Sequence, residues 1–147
     1  MRPFKVEHLD HVEMFVPDRQ EAARWYEERL GLSVLPDYEH WAEDPQGPLM
    51  ISSDGGKTKL ALFTGEPRGD RPTAGFHLVA FLVDGPGFFR FLEHVESHPV
   101  FSETGVEVRS LRPRDHGKAF SVYFCDPWGH RLEITTYDNR YVRDRLG

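Results

Sequence analysis

The sequence has little cysteine, no long apolar run and no excess of positive charge. Its 147 residues include a single cysteine, Cys125, which cannot form a disulfide within the chain and excludes a zinc site built from several cysteines. No apolar stretch approaches the roughly 20 residues needed to cross a bilayer, and the N-terminal segment lacks the apolar core of a signal peptide. We therefore expect a cytoplasmic protein with no membrane association.

The charge balance also narrows the function. The 24 acidic side chains outnumber the 18 basic ones, for a formal net charge of −6. Proteins that bind phosphate backbones cluster their Lys and Arg residues, and this chain has no such cluster, so we predict no nucleic-acid partner. A chain of this length can bury enough apolar surface to fold as one domain without disulfides or a metal. An enzyme or a small-molecule binder remains.

Two similar segments organise the chain, HVEMFVPD beginning at His11 and HLVAFLVD beginning at His77. Each reads as an apolar strand with a His near its start and an Asp just after its end. A helix is predicted after each Asp. The first begins at Asp18, an N-cap residue, and stops at Gly31; the second begins at Asp84.

Strand-like segments separated by turn residues follow each helix. They lie near 33–38, 49–52 and 59–63 in the first half, with a hairpin turn at 54–56, and near 106–111, 120–124 and 131–136 in the second. The order is therefore βαβββ twice, at about 8–63 and 76–136, joined by a polar connector at 64–75. We predict an α+β fold in a single domain, with a cleft where the two sheets pack.

Three residues are candidate metal ligands: His11, His77 and Glu133. Alternate residues of a strand share a face, which groups each His with two strand neighbours, Glu13 and Phe15 or Val79 and Phe81. If the two βαβββ segments, or modules, pack pseudo-symmetrically, the imidazoles of His11 and His77 come together. Glu133 on the last strand would then complete a set of three metal ligands. Such a set suits Fe(II), Mn(II), Zn(II) or Ni(II) and leaves coordination positions open. The alternative is two hydrogen-bonded core histidines and a solvent-facing Glu.

The segments 11–32, 76–84 and 126–133 resemble the vicinal oxygen chelate superfamily, which includes glyoxalase I, bleomycin- and fosfomycin-resistance proteins and extradiol dioxygenases. The ending DPWGHRLE with two upstream histidines carries the resemblance, which covers about residues 8–137. It implies paired βαβββ modules that form a half-barrel cleft, a divalent metal held by His11, His77 and Glu133, and a homodimer.

Individual members match unevenly. Glyoxalase I has a fourth ligand, a Glu on the last strand of the first module, where this chain has KLALF at 59–63. Extradiol dioxygenases have a Tyr ten residues before the metal-binding Glu, a position that Tyr123 holds here, with His116 upstream of it. This resemblance implies catalytic roles for Tyr123 and His116 in polarising substrate or moving protons. The acid–base His that those enzymes carry before the second metal ligand is missing between Phe63 and Phe76.

Two functions remain open. The first is a divalent-metal-dependent enzyme, with Fe(II) or Mn(II) favoured over Zn(II) or Ni(II), that binds adjacent oxygens of a small substrate. An oxidoreductase of the extradiol dioxygenase type is one form of it. The second is a metal-free small-molecule binder or antibiotic-resistance protein of the bleomycin-resistance type. The metal content of protein purified without chelators would separate the two functions.

Overall fold

The computed structural model describes residues 4–147 and separates into two compact units, the first ending at Gly69 and the second beginning at Asp70. The boundary lies within the connector predicted at 64–75. Each unit contains one mixed sheet and at least one helix, which confirms the α+β class. None of the helices in residues 4–147 combines the length and apolar character needed to traverse a bilayer.

The first unit has the predicted βαβββ order. Its elements are β1 (His11–Phe15), α1 (Arg19–Leu30), β2 (Ser33–Val34), a 3-10 helix (Pro36–Glu43), β3 (Leu49–Ser52) and β4 (Lys59–Phe63). The sheet order is β1-β4-β3-β2, with β1 parallel to β4 and the other pairs antiparallel. The strand β1 therefore lies at the edge of this sheet.

Both predicted ends of α1 are confirmed. The Asp18 carboxylate accepts hydrogen bonds from the second and third N–H groups of the helix, and Gly31 ends the helix in the left-handed region at φ 70°. The Tyr26 hydroxyl donates to Sδ of Met14 at 3.6 Å, so α1 covers the Met14 face of β1. Strand alternation then places His11 on the face away from α1.

The strand predicted at 33–38 is wrong beyond Val34. Pro36 has no backbone N–H and a fixed φ, and it starts the 3-10 helix instead of continuing the sheet. The guanidinium of Arg19 also donates to carbonyl groups of Ala42, Asp44 and Gly47 at the far end of this segment. These long-range hydrogen bonds hold the segment in a loop that the local sequence does not reveal.

The second unit has a larger sheet. Its elements are β5 (Val79–Leu82), α2 (Gly85–Ser97), β6 (Val100–Phe101), β7 (Glu107–Val108), β8 (Arg114–Asp115), β9 (Phe120–Cys125), β10 (Arg131–Thr136) and α3 (Asn139–Leu146). The sheet order is β5-β10-β9-β6-β7, with β8 beside β9, and β5 is parallel to β10. Of the strand predicted at 106–111, only β7 forms.

The two faces of this sheet differ in chemistry. Phe91 of α2 packs on Phe124 of β9 with ring centroids 5.2 Å apart, so the face carrying Phe124, Leu132 and Ile134 is the one that α2 covers. The opposite face is the open face, and it carries the residues in the alternate phase: Ala80, Leu82, Ser121, Tyr123, Cys125, Arg131, Glu133 and Thr135.

Candidate functional site

Glu133 and Tyr123 are direct cross-strand neighbours on the open face. The antiparallel pairing of β10 with β9 places Glu133 opposite Tyr123, and the parallel pairing with β5 places Ala80 on its other side. Residues directly opposite in an antiparallel pair have Cβ atoms about 4.5–5.5 Å apart. Tyr123 is 37% exposed and Glu133 is half-buried. The side chains of Glu133 and Tyr123 therefore leave adjacent positions of the sheet, on a face that a ligand can reach.

His116 extends this row by one residue. The strands β8 and β9 form a hairpin, and the His116 backbone N–H donates to the Ala119 carbonyl at 2.9 Å across its turn. This brings Nε2 of His116 to 2.9 Å from the Tyr123 hydroxyl. The hydroxyl donates when Nε2 is unprotonated and accepts when Nε2 carries the proton. The structure thus joins the two residues that the sequence selected, whereas their catalytic role stays a prediction.

Arg143 of α3 holds the turn that carries His116. Its guanidinium donates to the Asp115 carboxylate at 3.0 Å and to the Gly117 carbonyl at 2.9 Å. The Gly117 N–H also donates to Asp115 at 2.8 Å. The hydrogen bond from Arg143, and after it the one from Gly117, hold the pKa of Asp115 below its ordinary value. Sequence reasoning missed Arg143, because nothing near it in the chain signals this contact.

Replacing Arg143 with Ala is expected to raise the pKa of Asp115 and to loosen the contact between His116 and Tyr123. A carboxylate with a lowered folded-state pKa stabilises the fold above its unfolded pKa, and this contribution disappears as the pH falls through the folded-state pKa. The variant should therefore be less stable than wild type above the unfolded-state pKa of Asp115, and this difference in stability should shrink as the pH falls through the folded-state pKa. NMR titration of the Asp115 carboxyl carbon measures the change in pKa. Nuclear Overhauser effects between the ring protons of His116 and Tyr123 measure the change in their contact.

The matched control is Arg140→Ala, which removes the same charge from an exposed position of the same helix. It should leave both observables unchanged. An Asp115 titration in Arg143→Ala that coincides with the wild-type titration would show that the guanidinium does not hold this turn.

A small cavity lies beside Tyr123. It has a volume of about 60 Å³ and is lined by Leu78, Glu103, Tyr123, Phe124, Arg131 and Leu132. Arg131 donates to the Glu103 carboxylate, while its Nε is buried and has no hydrogen-bond partner among residues 4–147. The sequence analysis assigned no role to Arg131, and it missed Glu103, which comes from the loop after β6.

The turn between β9 and β10 fixes the positions of Tyr123 and Glu133. The Asp126 carboxylate, in a residue only 1% exposed, accepts from the backbone N–H groups of Trp128 and His130, each at 2.9 Å. Nδ1 of His130 also lies 2.7 Å from this carboxylate. The motif that carries the family resemblance thus contains a buried acceptor that closes the hairpin.

His11 lies between two carboxylates in the first unit. Its Nδ1 is 2.8 Å from Asp10 and its Nε2 is 3.1 Å from Glu13. The hydrogen bond to Asp10 is the largest cause of a raised pKa for His11. Lys59 donates to the same Asp10 carboxylate at 3.1 Å, so the ring sits in a network of exposed charges.

His77 is exposed and lies in a bend before β5 begins. The sequence pattern predicted His77 as a strand residue, and this prediction is wrong, because β5 begins two residues later. Within neither unit do three His, Cys, Asp or Glu side chains of residues 4–147 lie close enough to hold one metal ion. The assignment of His11, His77 and Glu133 as ligands stays a prediction.

Comparison with known proteins places the chain in a family. A family model described as the Glyoxalase/Bleomycin resistance protein/Dioxygenase superfamily matches residues 8–134. The chain is similar to fosfomycin resistance protein FosX of Mesorhizobium japonicum, with 27% identity over 135 residues that cover 89% of this chain and 86% of that protein.

Solved structures have the same fold. The structure of oxidase ChaP-H2 has a TM-score of 0.61 and 25% identity, and the match covers 90% of this chain and 94% of that one. A FosX variant from Listeria monocytogenes, complexed with Mn(II) and 1S,2S-dihydroxypropylphosphonic acid, has a TM-score of 0.63 at 17% identity, with coverage of 93% and 97%. Since the family model spans most of the sequence, the chain belongs to the glyoxalase/bleomycin resistance protein/dioxygenase superfamily.

Proposed function

We propose that the chain is an enzyme that acts on a small substrate with neighbouring oxygen atoms, bound on the open face of the second sheet. The observation that carries this proposal is the row of His116, Tyr123 and Glu133, joined by a hydrogen bond at one end and by strand pairing at the other. Imidazole, phenol and carboxylate are the side-chain groups that accept, donate and relay protons in enzymes.

Each residue of the row has a distinct role in this proposal. The Glu133 carboxylate accepts a proton from a substrate hydroxyl or from a water molecule. The Tyr123 hydroxyl donates a hydrogen bond to the substrate oxygen that gains negative charge. His116 exchanges a proton with Tyr123 through Nε2, and because it is exposed it also exchanges protons with solvent.

A metal-dependent form of the proposal has His11, His77 and Glu133 hold Fe(II) or Mn(II), with Zn(II) or Ni(II) as alternatives. Such an ion supplies Lewis-acid stabilisation of charge on adjacent substrate oxygens. The donor set of the second unit does not fit this form, because Glu133 pairs with Ala80 on the open face whereas His77 is exposed in the bend before β5, outside the strand pairing that positions Glu133. The proton-transfer roles of the row need no metal ligand from β5.

The second candidate is a metal-free small-molecule binder or resistance protein. The residues of β5 on the open face are apolar, which favours binding of a ligand with an apolar body. The similarity to a fosfomycin resistance protein supports a resistance role, but it does not favour a metal-free site, because the structurally similar FosX variant is complexed with Mn(II). For either function we also propose the homodimer that the family resemblance implies.

A substrate screen is expected to find turnover of one of three classes. The panel is fosfomycin with water or thiol, catechols in air, and 2-oxoaldehyde–thiol adducts, each with chelator, with added Mn(II) and with added Fe(II). Mn(II) is included because the structurally similar FosX variant contains it. We expect turnover that persists in chelator and falls in Tyr123→Phe, since the hydroxyl donates to substrate.

The control for this screen is Tyr137→Phe, which removes a hydroxyl from a tyrosine that is 66% exposed and outside the row. Turnover that needs added Mn(II) or Fe(II) would support the metal-dependent form. Saturable binding without turnover in every condition would contradict the enzyme and leave the binder.

A further inference from the structure

The pairing of β5 with β10 determines which β5 residues share a face with Glu133. Val79 pairs with Leu132 and Phe81 pairs with Ile134, both of which are at most 3% exposed on the face that α2 covers. Ala80 pairs with Glu133. Even-numbered residues of β5 are therefore on the open face, and the exposure of Ala80 and Leu82 agrees with this phase.

The two modules differ by one residue between strand and helix, and this difference changes the phase. In the first module two residues separate the end of β1 at Phe15 from the N-cap Asp18. In the second module one residue separates the end of β5 at Leu82 from the N-cap Asp84. Each His precedes its Asp by the same spacing, so the position of the second module that matches the strand phase of His11 is Leu78, one residue after His77. A shift of one residue moves a side chain to the other face of a sheet.

The register therefore determines the position of the residue just before β5, Leu78. Leu78 lines the small cavity beside Tyr123, together with residues of both faces of the sheet, whereas His77 does not line it. Extension of the β5 pairing by one residue places Leu78 opposite Arg131, which precedes Glu133 by two positions on the same face. Leu78 is thus diagonal to Glu133, within reach of a long side chain.

We infer that Leu78, and not His77, is the residue that this end of β5 presents beside Glu133, so that β5 adds an apolar wall and no metal ligand at this position. The inference deepens the proposed function and rests on it for the location of the site. The substrate class that fits is a small organic molecule whose apolar part contacts Leu78, Ala80 and Leu82 while its oxygens reach Tyr123 and Glu133.

Binding of Co(II) alone, followed by its visible absorption and by calorimetry, tests the inference without any substrate. The full-length proteins are wild type, His77→Ala, Leu78→His, Ala80→His and Val79→His, together with Leu78→His and Ala80→His each combined with Glu133→Gln. The two open-face variants are expected to bind Co(II) at least about tenfold more tightly than wild type, because an imidazole then joins the Glu133 carboxylate. Glu133→Gln should cancel each gain.

Two variants serve as controls for the phase. Val79→His adds an imidazole on the covered face and should give no gain, and His77→Ala should bind Co(II) within about twofold of wild type. Ala80→His is at an exposed position, so it keeps the test available if Leu78→His does not fold. Weaker binding in His77→Ala by tenfold or more, or no gain in a folded Ala80→His, would overturn the inference. Catalytic failure in the substrate screen would leave the Co(II) result intact, so the two proposals fail separately.

Discussion

Glu133→Gln is expected to lower kcat/KM by about 10²–10⁴-fold on the substrate that the screen identifies. The amide has nearly the shape of the carboxylate but has no negative charge and accepts no proton near neutral pH. Glu133 lies between Tyr123 and Ala80 on the open face, and it is the one Asp or Glu residue of β9 and β10. No other carboxylate of these two strands can therefore replace it. The loss should appear mainly in kcat, because proton transfer occurs in the transition state and not in substrate binding.

The measurement is kcat and KM across the pH range in which the folded protein is stable. Glu107→Gln is the matched control, because it removes the same charge from an exposed residue of β7 that pairs with Arg109. It should retain wild-type kinetics. If Glu133→Gln keeps kcat within threefold of wild type, the carboxylate does not take part in the reaction and the row of three residues is not the site.

The sequence correctly predicted the elements whose ends are determined by interactions between residues close in the chain. The cap at Asp18 and the glycine stop at Gly31 define α1 because both act on backbone groups within one helical turn. The hairpin turn at 54–56 is likewise local, with Gly55 and Gly56 at positive φ between β3 and β4. The βαβββ order of the first unit could be predicted from these signals together with apolar periodicity, whereas the second unit has five strands after α2 instead of the predicted three.

Elements that depend on distant contacts could not be predicted in the same way. The 3-10 helix that replaces the strand after Val34 is held by Arg19, which lies in α1. The turn carrying His116 is held by Arg143 of α3, which no pattern around residue 116 indicates. Such hydrogen bonds form only once the fold brings the two segments together.

The candidate site shows the same division. The contact between Tyr123 and His116 follows from a short hairpin, and the resemblance had already selected both residues. The place of His77 depends on the pairing of β5 with β10, which the spacing of histidines along the chain cannot determine. The number of residues between two histidines is known from the sequence, but the sheet face on which each lies depends on the register of its strand, which the sequence does not give.

Asp126→Ala is expected to destabilise the protein by about 2–4 kcal/mol, the largest effect on stability that we predict around the site. The substitution removes the acceptor for the N–H groups of Trp128 and His130 and for Nδ1 of His130. Each unpaired buried donor costs about 1–3 kcal/mol, and water reaching the half-buried turn offsets part of that cost. Urea unfolding followed by circular dichroism measures the free energy of unfolding.

Asp126→Asn separates the loss of acceptors from the loss of charge. The side-chain oxygen of Asn can still accept from both backbone N–H groups, so we expect it to cost less than half as much as Asp126→Ala. Equal destabilisation by the two variants would mean that the charge, and not the geometry of the turn, stabilises the hairpin. The turn sets the register in which Tyr123 meets Glu133. Asp126→Ala should therefore also lower kcat at temperatures where the variant remains folded, which a purely global loss of stability would not do.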